Sequence, residues 1–309
     1  MNNKANLVLG AVRGYSFEQL RPFVISLKRT KFHGDLVLLW NNLSPETLAA
    51  LRDHGVILVP FEYHARGPLN FWSHFWPIIR LVEIFPISNP RRHAIYKRIL
   101  NLTFVRYVHV LDFLEDNCNR YERILLTDVR DVVFQDDPFR DPLPGEITAF
   151  LESPKMKYGA EPLYNDPWMC QNYSKMKLRQ LSGQRISCCG TVMGTEKGLL
   201  EYVRAFVGEI RKLRSVAYGA DTSIHNVLVR DVLRKQTALV ENLQGAVATI
   251  ACNASGELQL GTGGVVLDPL GRSVPVLHQY DRHPELVARI SSLGLNSEAV
   301  DHECSQTKV

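Results

Sequence analysis

Asp128 and Asp131 stand three residues apart, directly after the apolar run Arg123-Ile124-Leu125-Leu126-Thr127. That run reads as a buried strand. In open α/β sheets ligands bind beyond the carboxyl ends of strands. Two carboxylates in one tight turn can hold a hard divalent cation through oxygen, and that cation can bridge phosphate oxygens and neutralise a departing charge. The competing reading is that both acids cap the turn. Arg130 between them and the further acids Asp136 and Asp137 weigh against capping alone. A second chemical signal comes late, where Val274 to Leu277 reads as a strand ending in His278. A lone histidine is usually a core or surface residue, but an imidazole at a strand end can join carboxylates around an ion of the Mn²⁺ class.

Other polar groups cluster at element ends. The small-residue stretch Ser187 to Gly194 reads as a strand whose glycines, Gly190 among them, let a backbone come close to a ligand. Asp221 follows Gly219-Ala220 at a helix start, where it is either an N-cap or a positioned carboxylate. Glu152 follows the strand Ile147 to Leu151 and is the next carboxylate in line for that role. Arg13, Gly14 and Tyr15 follow the first apolar run, which ends at Val12. The Gly10-to-Gly14 spacing is not a GxGxxG fingerprint, so dinucleotide binding fits poorly. Arg98 and Arg106 lie on two helices, between about residues 93 and 117, that precede the acidic strand. Each is either a pyrophosphate contact or a solvated helix residue.

The elements that must position these groups alternate in the βα manner. Strands at Leu7 to Val12, Leu36 to Leu39 and Val56 to Val59 are separated by helices, with Pro22 expected in the first turn of one and Ser44-Pro45 opening the other. This pattern argues for a mostly parallel sheet covered on both faces. The segment 154–184 is polar and turn-rich, and reads as an irregular wall. Phe71, Trp72, Phe75 and Trp76, with Arg80, Arg91 and Arg92, form either a hydrophobic plug or an amphipathic lip touching a membrane surface.

Of 309 residues, 45% are apolar and 22% charged, as in an ordinary globular protein. No run reaches the ~18 apolar residues of a membrane span, and the polar start carries no signal peptide, so a cytoplasmic protein is expected. The six cysteines, including the adjacent Cys188 and Cys189, show no metal spacing and read as reduced thiols. A net charge of +4 suits an anionic small molecule or a loose membrane contact and is too weak to argue for nucleic acid.

The segment from Arg123 to Phe139 resembles the acidic strand-end segment of GT-A-fold glycosyltransferases, whose DxD motif follows a hydrophobic strand and precedes a turn like Asp137-Pro138-Phe139. The pair here, Asp-Val-Arg-Asp, is one residue longer. The stretch from Val276 to His283 is similar to the end of glycogenin-like transferases, where a histidine completes the metal site. The resemblance implies a GT-A-like single Rossmann-like domain over residues 1–309, with a mixed, mostly parallel sheet flanked by helices. Residues 1–135 would form the nucleotide-binding half, 136–285 the donor-sugar and acceptor half, and 286–309 a tail.

It also implies Mn²⁺ (or Mg²⁺) at Asp128, Asp131 and His278, with Asp128 shared with the ribose. Val12, Arg13, Gly14 and Tyr15 would hold base and ribose. Arg98, Arg106, Arg130 and Arg282 (or His283) would serve the diphosphate, and Gly190, Thr191, His225 and Asp221 the sugar. The implied activity is sugar transfer from a nucleoside-diphosphate sugar to a surface or lipid-linked glycan, with retention favoured by the terminal histidine. Two rivals stand beside it. Nucleotidyltransfer onto a sugar phosphate normally uses a glycine-rich, lysine-containing loop, which Arg13-Gly14-Tyr15-Ser16 lacks. The other is a non-catalytic carbohydrate- or partner-binding module.

Overall fold

The computed structural model describes residues 4–63, 88–213 and 219–295. The aromatic cluster at Phe71, Trp72, Phe75 and Trp76, with Arg80, and the tail beyond residue 295 lie outside the described residues. Strands β1 (Ala5–Arg13), β2 (Gly34–Asn41), β3 (Ile57–Pro60) and β4 (Tyr121–Thr127) are followed by β5 (Val132–Phe134), β6 (Ile147–Leu151), β7 (Ser187–Thr195), β8 (Thr237–Val240), β9 (Val247–Thr249) and β10 (Val276–His278). Seven of them form one sheet in the order β3-β2-β1-β4-β7-β6-β8, and β5-β10-β9 form a second. The pairs β2/β3, β1/β2, β1/β4 and β6/β8 are parallel, while β7 runs antiparallel to both neighbours. A mixed, mostly parallel α/β sheet was the expectation, and it is what forms.

Both faces of the large sheet are covered, and β1 shows why. Leu7 and Leu9 are fully buried in one apolar cluster, and Val8 and Val12 in another on the opposite face. A strand with period-2 side chains apolar on both faces must sit in the middle of a layered fold. Helices α1 (Phe17–Arg29), α2 (Pro45–Asp53), α3 (Asn89–Ile99) and α4 (Leu102–Asp116) belong to the first half of the chain. Ser44 caps α2 by accepting the Thr47 N–H at 3.2 Å, as its sequence position suggests. Pro22 departs from expectation. Ser16 donates its N–H to Gln19 at 3.0 Å and starts α1 earlier, which puts Pro22 inside the helix at the loss of one backbone bond.

The second half carries α5 (Asn165–Asn172), α6 (Lys175–Leu181), α7 (Glu196–Ile210), α8 (Ala220–Val227) and α9 (Pro284–Ser292). Segment 154–184 is therefore not wholly irregular. Its two helices are too short to show periodicity in a polar sequence. The cap of α8 is Gly219, in the left-handed region at φ 75°, and Asp221 sits inside the first turn. A Cβ at Gly219 would also lie 2.0 Å from the Trp168 ring, so glycine is required twice over. Among the described residues no helix is long and apolar enough to cross a membrane.

One buried network ties α8 to the start of β7. His225 meets the Tyr202 hydroxyl at 2.8 Å and the Ser187 hydroxyl at 2.9 Å, and Asn226 exchanges bonds with the Ser187 backbone. This corrects the expectation that His225 contacts substrate: it is fully buried with both ring nitrogens engaged. Burial, reinforced by Arg230, lowers its pKa from 6.5 to about 3. The unfolded imidazole takes up a proton as pH falls below 6.5, whereas the folded one stays neutral down to about 3. Stability from this group is thus complete above pH 6.5 and is lost as pH falls below it. Its slope is at most about 1.4 kcal/mol per pH unit. Chemical denaturation of His225→Gln should show lower stability at pH 7.5 and a shallower loss between pH 6.5 and 5 than the wild type. A wild-type slope retained in the variant would contradict the assignment.

Candidate active site

The two sheets meet at the acid pair. Where β4 ends, the Asp128 N–H donates to Gly190 O of β7 at 2.7 Å. Asp131 immediately precedes β5, which pairs antiparallel with β10 so that Val132 faces His278. Gln279 N–H then donates to Asp131 O at 2.7 Å, which locks the second acid beside the imidazole through the backbone. His278 Nε2 lies 3.8 Å from Asp128 Oδ2 and 3.9 Å from Asp131 Oδ1. The three ligand atoms all lie within 4.8 Å of one another.

These separations are too long for hydrogen bonds. Donors on one ion at ~2.1 Å stand roughly 3–4 Å apart. His278 is 1% exposed, and its Nε2 is buried with no hydrogen-bond partner. Nδ1 meets the Thr249 hydroxyl of β9 at 3.2 Å, which fixes the ring. With Nε2 as a ligand, the ring proton sits on Nδ1 and donates to Thr249. Burial raises the Asp131 carboxyl, opposed by His278 and assisted by the charge of Asp128. Two carboxylate oxygens and one imidazole nitrogen form a donor set that suits a divalent cation.

Gly190 leaves the space. A Cβ there would stand 2.5 Å from His278 Cε1 and 2.7 Å from Asp128 Oδ2. Asp128 is divided between two tasks, because its Oδ1 accepts from Arg106 at 2.6 Å while Oδ2 faces the cluster. Arg106 also reaches Asp221 Oδ2 at 3.4 Å. Asp221 Oδ1 accepts the Thr222 N–H at 3.0 Å, and burial raises its carboxyl against the pull of Arg106. Asp136 and Asp137, read with the acid pair in the sequence, are structural. The first binds Arg140 at 2.7 Å, and the second accepts the Phe139 N–H at 2.9 Å.

Two clefts open from this centre. One, of about 370 Å³, is lined by Val12, Arg13, Tyr15, Arg106, Arg130 and Asp131 among others. Arg13 lies over the Tyr63 ring at 5.1 Å, and burial raises the Tyr15 hydroxyl. Gly14, at φ 70°, forms the turn behind them by donating to Asn41 O. Arg130 donates to Asp281 at 3.0 Å, and Arg282 donates to the same carboxyl at 2.7 Å. The other cleft, of about 250 Å³, is lined by Glu152, Tyr164, Trp168, Gly190, Asp221 and Gln279 among others. Burial, with Glu161 nearby, pushes the Glu152 carboxyl up to about 7. The two clefts share Thr103, Asp128 and Asp221.

Some expected groups are placed elsewhere. His283 is buried and bonded to Ile250 O at 2.7 Å, so it cannot face a diphosphate. Thr191 is fully buried in β7, and its neighbour Gly190 lines the cleft instead. Arg98 is exposed on α3. Burial raises the thiols of Cys188 and Cys189, which suits inert packing. Sequence reasoning missed Thr249, Tyr164 and Trp168, which lie in short or irregular segments with no periodicity to announce them.

The cradle at Gly190 generates a direct test. Gly190→Ala should weaken Mn²⁺ binding measured by titration calorimetry by about tenfold or more, since 1.4 kcal/mol of displaced ligand geometry suffices. The melting temperature should fall as well, because the added methyl must displace the buried His278 ring. Unchanged Mn²⁺ affinity would show that Gly190 does not guard the site.

No family profile and no curated protein sequence matches the chain. Solved structures do match. The fold is similar to that of WbbM, a bifunctional glycosyltransferase, with a TM-score of 0.54 and 12% identity over 94% of this chain. The chain spans 50% of the length of that protein. It is also similar to the galactosyltransferase LgtC in complex with donor and acceptor sugar analogues (TM-score 0.50, 11% identity, 96% of this chain and 98% of that one). An active-site mutant of LgtC gives a TM-score of 0.52 at 16% identity, with the same coverage. At these identities the likeness is one of fold, and the fold is that of GT-A-type glycosyltransferases.

Proposed function

We propose that this chain is a metal-dependent glycosyltransferase that moves a sugar from a nucleoside-diphosphate sugar to a glycan acceptor. The observation that carries the reading is the convergence of Asp128, Asp131 and the partnerless Nε2 of His278 beside an arginine-lined cleft. When bound there, Mn²⁺ or Mg²⁺ supplies positive charge against the diphosphate leaving group. WbbM and LgtC, with the same fold, are glycosyltransferases, and the LgtC structure holds donor and acceptor sugar analogues.

The chain's own residues divide the work by cleft. Arg13, Arg106 and Arg130 bring three guanidinium groups to the larger cleft, where they bind phosphate oxygens. Arg130 exchanges Asp281 for phosphate, and Arg282 stays with Asp281 to keep that carboxyl paired. Val12 and Tyr15 form the wall for base and ribose, so residues 1–135 act as the nucleotide half and 136–285 as the sugar half. Arg106 holds Asp128 and Asp221 at the junction of the clefts. Asp221 is there to bond a donor-sugar hydroxyl and to face positive charge developing on the sugar. Glu152 faces the acceptor side, where a carboxyl near pH 7 both gives and takes hydrogen bonds.

The purified chain should hydrolyse or transfer at least one UDP- or GDP-sugar. EDTA should abolish that turnover and Mn²⁺ should restore it. Asp131→Ala should lose nucleoside-diphosphate affinity in the presence of Mn²⁺ while melting near the wild-type temperature. A variant that binds the diphosphate normally with metal present would remove the assignment. Wild-type binding of nucleotide sugars without turnover, across acceptors, would favour a binding module.

Asp221→Asn separates chemistry from structure. Gly219 caps α8, and asparagine preserves the bond to Thr222 N–H, so stability should hold. Turnover should fall roughly a hundredfold or more, the scale of a lost positioned carboxylate. Donor affinity should stay near wild type. Unchanged turnover would shift the catalytic role toward Glu152.

A further inference from the structure

The smaller cleft differs from the larger one in charge and surface. Among its described lining residues are three carboxylates, Asp128, Glu152 and Asp221, and no lysine or arginine. The larger cleft, which shares Asp128 and Asp221, has three arginines. Asp128 and Asp221 are already paired with Arg106, so an anionic group entering the smaller cleft would meet Glu152 with no lysine or arginine of the lining to answer it, which is costly in a partly desolvated site. A neutral, hydroxyl-rich ligand meets the same carboxylates as hydrogen-bond acceptors.

The wall of this cleft is aromatic. Tyr164 and Trp168 both line it, with ring centroids 5.6 Å apart and planes inclined by 45°. Tyr164 is 57% exposed, beside Leu163 at 74%, so a large apolar face is left open at the rim. Trp168 is held from behind, because Gly219 lets the start of α8 approach its ring closely. Asn165, between the two on α5, is fixed by its N–H and side-chain amide, which both bond Glu161. A pyranose has one face of C–H groups and an equatorial rim of hydroxyls. The first fits a π surface and the second fits Glu152, which lines the same cleft.

We propose that this cleft is the acceptor subsite and takes a neutral pyranose laid on the Tyr164–Trp168 pair, with its hydroxyls toward Glu152. The proposal rests on the glycosyltransferase reading and narrows it. It excludes an acceptor that enters through a phosphate or carboxylate, and so places any lipid-linked phosphate outside this cleft.

The test is a glycan microarray bearing neutral, phosphorylated and carboxylated glycans, probed with the full chain in Mn²⁺ with UDP or GDP. Calorimetry of the same nucleotides runs alongside. The wild type should retain neutral pyranose-terminated glycans. Tyr164→Ala, at an exposed position where folding is not at risk, should lose that retention by about tenfold. Tyr164→Phe should keep it, and both variants should bind Mn²⁺ and nucleotide as the wild type does. Preference for anionic glycans would overturn the proposal. So would equal retention by Tyr164→Ala, or the absence of any glycan retention while nucleotide binds. Retention of neutral glycans by a chain that binds neither UDP nor GDP would instead sink the donor reading and leave this subsite standing.

Discussion

The charge problem at His278 organises the rest of the molecule. An imidazole 1% exposed faces two carboxylates at 3.8 and 3.9 Å, and its Nε2 bonds neither. Burying carboxylates this close together opposes their ionisation, as the raised Asp131 shows, unless a cation sits among them. Several otherwise odd features follow from holding that arrangement. The three-residue strands β5, β9 and β10 form a sheet whose register sets Asp131 and Thr249 around the ring. Gly190 stands where any side chain would fill the gap. Arg106 takes one oxygen of Asp128 and leaves the other for the cluster.

From that centre the architecture distributes chemistry by sheet. The large sheet delivers Asp128 at the end of β4 and Arg13 at the end of β1, and α4 adds Arg106 to the larger cleft. The small sheet delivers Asp131 and His278, and β7, running against its neighbours, slides Gly190 between them. The network of His225, Tyr202 and Ser187 then anchors α8 so that Asp221 reaches the boundary between the clefts. The core histidine thus serves the site through position and not through contact.

The metal candidates were legible in the sequence because a long apolar strand ending in acids, and a late strand ending in histidine, are local signals. The alternation of strands and helices was legible for the same reason, since β1 and β4 carry continuous apolar runs. What was not legible depends on pairing across the chain. His225 and Thr191 look like cleft residues by order along the chain, but strand alternation and the Tyr202 hydroxyl turn them inward. Asp136 and Asp137 look like a second acid pair until Arg140 and the Phe139 N–H claim them. Pro22 reads as a first-turn proline because the Ser16–Gln19 bond, which starts α1 one turn earlier, has no apolar signature. Tyr164 and Trp168 sit in a segment too polar and too broken for periodicity to assign.

Pulsed electron paramagnetic resonance of bound Mn²⁺ tests the centre most directly, because it reports the nuclei attached to the ion. Modulation from one directly bound imidazole nitrogen is expected, joined by ³¹P coupling when UDP or GDP is added. The nitrogen signal should vanish in His278→Gln, with the melting temperature retained. Mn²⁺ that shows only water protons, or a nitrogen signal that persists in His278→Gln, would contradict it.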